Sequence, residues 1–166
     1  MRLWTVGCML LALLLLSCDG SQPTSTDAVT SGLAVDNVTA NLTLPTTTGA
    51  VYMRITNGSS TDDALIDVVV PGCGVVELHE MLMQDDVMMM RQMEGNRIPI
   101  PAGQTVMLQR GGLHVMCIDK TGEYAVGQMI PVTLHFENAG TVEVQAEVIV
   151  PGEAMEMDEH DMSGDE

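Results

Sequence analysis

Aromatic residues are nearly absent from this chain, with one Trp, two Tyr and one Phe among 166 residues. Trp4 falls in the N-terminal apolar segment, which leaves Tyr52, Tyr124 and Phe136 for the body of the protein. Surfaces that stack sugars or unpaired bases need more rings than that. Basic residues are also scarce: six Lys and Arg face 23 Asp and Glu, for a formal net charge of −17. So acidic a chain is repelled by nucleic acid and by anionic headgroups, and attracts cations. No Ser/His/Asp set, paired-carboxylate motif or Gly-rich phosphate loop is present, so an enzyme is not expected. The one apolar run, at the start, is too short for a comfortable membrane span.

That run reads as a targeting segment. Arg2 supplies a basic start, Val6 to Leu16 a short apolar stretch, and LLLLSC ends at Cys18. The ending resembles the bacterial lipobox, which implies removal of residues 1–17 and a lipid anchor on Cys18. Asp19 resembles an inner-membrane retention signal of some Gram-negative bacteria. The expectation is a periplasmic, membrane-anchored bacterial lipoprotein held at the inner membrane. Residues 18–32, polar and small, read as a flexible tether.

From Leu33 to Val150 the hydrophobic period is 2. LAVDNVTA, AVYMRITN, DALIDVVV, VVELHEML, TVMLQR, LHVMCI, IPVTLHFE and TVEVQAEVIV are short, β-branched segments bounded by turn residues. TNGSSTDD, PGCG, PAGQ, RGG, KTGEY and ENAG between them are turn chemistry, and IPIPAGQT also reads as a turn. About eight or nine strands with no helix predict an antiparallel sandwich or barrel in a single domain.

The stretch from Val75 to Cys117 holds two of the four histidines and eight of the fifteen methionines. His79 and Met81, Met88 and Met90, and His114 and Met116 are each two apart, so each pair shares one face of a strand. Imidazole with thioether is a soft, neutral donor set that favours Cu(I) over Zn, Mg or Ca. Thioether needs no deprotonation and cannot be lost to disulfide formation outside the cytoplasm. On residue chemistry alone two readings stand: a copper site, or a methionine-rich core replacing missing aromatics in a structural surface lipoprotein. His135 reads as a surface or hydrogen-bonded residue. With Cys8 in the leader and Cys18 set aside for lipid, Cys73 and Cys117 form an even pair in an exported protein, which makes a disulfide a candidate. Cys117 is an odd step from His114 and Met116, on the opposite strand face. That counts against an electron-transfer cupredoxin, whose copper takes a Cys thiolate.

Ten residues separate His79 from Met90, 23 separate Met90 from His114, and one separates His114 from Met116. This order, with the flanking VELHEM, VMMMRQMEG, IPIPAGQTVML, GGLHVM and IPVTLHFENAGTVEV, resembles the periplasmic copper chaperones called PCu(A)C. The likeness runs from Leu33 to about Val150. It implies a cupredoxin-like antiparallel Greek-key barrel and Cu(I) held by His79, Met90, His114 and Met116 at an exposed rim. It also implies a monomer that delivers copper to subunit II of cytochrome c oxidase or to another copper assembly factor. The interval before His114 is slightly longer than the family's, with the excess placed in the IPIPAG turn. Met88 shares the face of Met90 and is its alternative, and Met81 is a candidate entry ligand.

Residues 151–166, GEAMEMDEHDMSGDE after Pro151, have the charge density of a disordered tail. Met155, Met157, His160 and Met162 within it make a candidate auxiliary metal site.

Overall fold

The computed structural model describes residues 28–30 and 32–150. The lipobox Cys18, the first part of the tether, and the tail with Met155, Met157, His160 and Met162 lie outside the described residues. Within them the chain forms an 11-stranded sheet and a single 3-10 turn at Glu94–Asn96. The strands are β1 (Ala28–Thr30), β2 (Leu33–Asn41), β3 (Gly49–Asn57), β4 (Asp63–Val69), β5 (Val75–Gln84), β6 (Val87–Gln92), β7 (Ile98–Ile100), β8 (Thr105–Leu108), β9 (His114–Ile118), β10 (Met129–Phe136) and β11 (Gly140–Val148). Their order is β6-β5-β9-β3-β2-β11-β10-β4-β7, with β1 beside β2 and β8 beside β3.

The period-2 pattern sets this architecture. Along β11 the residues alternate strictly between exposed and buried from Thr141 onward, and along β10 every second residue from Ile130 is buried. The inward set is aliphatic: Val35, Val51, Ile55, Leu65, Leu78, Ile98, Val115 and Leu134 are all fully buried. Met53 is the only methionine of that core among the described residues. The methionine-rich core is therefore excluded. Met83, Met88, Met89 and Met90 are instead 62, 56, 46 and 48% exposed.

The all-β expectation holds, with three differences. The pairing is not wholly antiparallel, because β11 runs parallel to β2. Part of the tether is a strand: Ala28–Thr30 pairs antiparallel with Leu33–Val35. The IPIPAG segment is only partly a turn, since Ile98–Ile100 is strand β7, paired with β4. Pro99 lacks a donor but sits at the end of the strand order, where a missing hydrogen bond is tolerated. Ile98 and Ile100 flank it with both side chains buried, and their burial holds the strand in place.

Candidate metal centre

Strands β5, β6 and β9 carry the histidines and methionines, and their register decides what meets. β9 pairs antiparallel with β5, placing His114 opposite His79 and Met116 opposite Glu77. β6 pairs with the other edge of β5, placing Gln92 opposite His79, Met90 opposite Met81 and Met88 opposite Met83. Directly opposite residues in an antiparallel pair point to the same side. His79, Met81, Met88, Met90, His114 and Met116 therefore all share one face of the sheet. That face is the outer one, since Leu78, Val115 and Cys117, one step away, lie in the core.

The β5–β6 hairpin is closed by Asp85 and Asp86, both with left-handed backbone (φ 51° and 61°). Two successive positive φ values make the mirror-image turn whose twist matches the flanking strands, and Asp is among the few residues that tolerate it. This turn fixes the register that sets Met90 against Met81.

The histidine pair forms the centre of the arrangement. The two rings stand edge to face with centroids 5.8 Å apart, and the Tyr52 ring lies 6.5 Å from that of His114. Although on the outer face, both histidines are buried, at 8 and 6% exposure. The two histidines are thus covered, whereas Met90 on the same face stands 48% exposed. His114 Nδ1–H donates to the Gly112 carbonyl at 3.0 Å, which fixes the tautomer and leaves the Nε2 lone pair free. Burial holds the His114 pKa below the ordinary imidazole value, and nearby His79 pushes the same way against the Gly112 hydrogen bond. His79 Nε2–H donates to Glu77 Oε2 at 2.8 Å, while His79 Nδ1 is buried with no partner. A buried ring nitrogen with an unused lone pair is costly unless something occupies it. Two imidazoles, each with one ring nitrogen held and the other unused, fit a soft cation as cargo.

The thioethers stand on either side of this pair. Met116 is one rung away on β9, and with His114 it lines a cavity of about 300 Å³ that also takes in Asn41, Leu44, Thr48 and Tyr52. Met90 is one rung away in the opposite direction, on β6, level with Met81. Met88 is a rung further out. The four family-implied ligands thus share a face but span three rungs, with Met81 in line with His79 on β5. Among the described residues no three His, Cys, Asp or Glu side chains gather as a metal group. A site here draws on thioether.

Cys73 and Cys117 are bonded, with Cα atoms 5.4 Å apart. Cys117 thus lies on the face away from His114 and Met116, as the odd spacing implied. His135 stands apart on β10, bonded to the Thr141 hydroxyl at 3.0 Å. Sequence reading missed Glu77 and Tyr52. The first carried a signal, since Glu77 stands two residues before His79 and so shares its strand face.

A family model described as "Putative lipoprotein LpqE-like" matches residues 33–148. The chain belongs to the LpqE-like family. A further likeness is to "Putative lipoprotein Lxx21020" of Leifsonia xyli subsp. xyli, 28% identical over 152 residues that make up 89% of each chain. Among solved structures, this LpqE-like chain is similar to the copper-bound PCuAC domain from PmoF2, at 24% identity and a TM-score of 0.65, covering 76% of this chain and 99% of that one. It is also similar to Cu(I)-DR1885 from Deinococcus radiodurans, at 26% identity and a TM-score of 0.55, covering 75% of this chain and 81% of the other. The LpqE-like domain has the PCuAC fold, a cupredoxin-like one.

Proposed function

We propose that this protein is a Cu(I) metallochaperone of the bacterial envelope. The reading assigns His79, His114, Met116 and Met90 as ligands, with Met88 the alternative to Met90. The observation that carries it is the covered histidine pair, each ring with one nitrogen held and the other, His79 Nδ1 and His114 Nε2, unused, with Met90 and Met116 one rung away on the same sheet face. The copper-bound PCuAC domain from PmoF2 and Cu(I)-DR1885, which share the fold, support the choice of metal. Neutral donors stabilise Cu(I) without asking for a proton to leave. Thioether also binds weakly enough for one ligand at a time to be exchanged for a recipient's, which suits a carrier.

The recipient in this reading is the copper centre of cytochrome c oxidase subunit II or another copper assembly factor. The protein acts as a monomer tethered through lipid on Cys18 to the periplasmic side of the inner membrane. Blue-copper electron transfer fits these residues poorly, because both cysteines of the described residues are spent on a disulfide.

Replacing His114 and Met116 together by Ala tests the assignment. Tight Cu(I) binding should be lost in competition with a chromophoric chelator while the circular dichroism spectrum is kept. X-ray absorption on the loaded protein should count both nitrogen and sulfur neighbours. A copper shell without sulfur overturns the proposal.

A further inference from the structure

The hairpin beyond the histidines carries a second group of donors. Met81 faces Met90 and Met83 faces Met88 as directly opposed pairs on adjacent rungs, all on the histidine side of the sheet. Directly opposed residues have Cβ atoms about 4.5–5.5 Å apart, and rungs on one face repeat about every 7 Å. Four thioethers on flexible three-bond stems are therefore within reach of a common point. Met83, Met88 and Met90 are 62, 56 and 48% exposed, so packing does not account for them. The other face of the same hairpin is mixed: Arg91 pairs with Glu80, Leu82 stands opposite a single methionine, Met89, and Gln84 opposite Val87. Asp85 and Asp86 close the tip and place negative charge beside the group without supplying hydrogen-bond donors from their side chains.

We infer that Met81, Met83, Met88 and Met90 form a separate, thioether-only site for a soft monovalent cation, Cu(I) in function, from which the ion passes to the histidine pair. The inference rests on the soft-metal reading of the His79–His114 centre. Met90 belongs to both sites, since its rung lies between the histidine pair and the Met83–Met88 pair, and so serves as the hinge of transfer. Copper stays Cu(I) throughout, so no electron moves. Each step breaks one copper–sulfur bond as a copper–nitrogen or copper–sulfur bond forms. All-sulfur coordination favours capture of the softest ion, and the imidazoles then hold it more tightly.

The test uses the chain labelled with 13C-methyl methionine and titrated with Ag(I), a redox-silent d10 probe. The first equivalent should shift the methyl signals of Met116 and Met90, and the second those of Met81, Met83 and Met88. The variant Met83→Leu keeps side-chain volume at an exposed position. It should weaken the second equivalent by about tenfold or more and leave the first unchanged. An unchanged second equivalent, or one that shifts only Met155, Met157 and Met162, overturns the hairpin site while leaving the histidine centre standing. A hairpin response with no change at Met116 or in the His79 and His114 ring signals does the reverse. It supports the thioether site and removes the histidine reading.

Discussion

Removing the Glu77 carboxylate should loosen copper without unfolding the domain. Glu77 Oε2 accepts from His79 Nε2 at 2.8 Å, which pins the ring and keeps the His79 Nδ1 lone pair turned to the buried side. A carboxylate in this role orients the imidazole and raises its basicity, and its loss typically weakens metal binding about 10- to 100-fold. That range is about 1.4–2.7 kcal/mol. The Glu77 side chain is 29% exposed, so water screens the contact and the lower half of the range applies to Glu77→Ala. Glu77→Gln retains an acceptor oxygen without the charge and should lose only about threefold, since charge assistance accounts for roughly half of such a bond. Neither change touches the core, and the cost in folding stability should be about 1 kcal/mol. Affinity is read by Cu(I) competition at pH 7.5, and ring state by 15N imidazole spectra, where Glu77→Ala should show mixed tautomers at His79. Should the Ala variant bind within twofold of wild type with an unaltered tautomer, the carboxylate does not position the ring and this reasoning fails.

Acidification provides a second check. Burial lowers the His114 pKa, so the unfolded chain takes up that proton before the folded one does, and stability falls as pH drops below the ordinary imidazole value of about 6.5. Denaturation of His114→Gln should show a flatter dependence on pH between 7.5 and 6 than the wild type does. Replacing Cys73 and Cys117 by Ala opens a loop of 44 residues, which the chain-entropy relation places at about 4 kcal/mol of stability. Urea unfolding should show that loss, with Cu(I) affinity nearly unchanged. Met53→Ala, at a fully buried position, should cost about 2–5 kcal/mol, whereas Met83→Ala should stay within about 0.5 kcal/mol. Equal losses would restore the methionine-rich core.

A strand that alternates cleanly, such as β11 from Thr141 onward, was legible in the sequence because each outer residue is polar and each inner one aliphatic. Two strands were hidden by local composition. Ile98–Ile100 is interrupted by Pro99 and followed by Pro101, which read as turn chemistry, and only burial beside β4 makes it a strand. Ala28–Thr30 is only three residues set among small polar ones, and its pairing with β2 is a tertiary outcome that pattern does not announce. The parallel contact of β11 with β2 joins opposite ends of the domain, beyond any local signal. At the centre, arithmetic on residue spacing put His114 with Met116 and His79 with Met81. What it lacked was register between strands, which alone places His79 opposite His114 and separates Met90 from Met116. Nor did spacing reveal that Tyr52 packs beside His114 and helps cover the pair from solvent.

Strand β9 divides two duties between alternate residues: His114 and Met116 look outward, Val115 and Cys117 inward to the core and the disulfide. Deleting a single residue from the turn before it would turn the strand over. Imidazole and thioether would then enter an aliphatic interior while the thiol and valine faced water. Fold, bridge and metal site would fail in one event, so this five-residue segment leaves evolution substitutions to explore but no change of length.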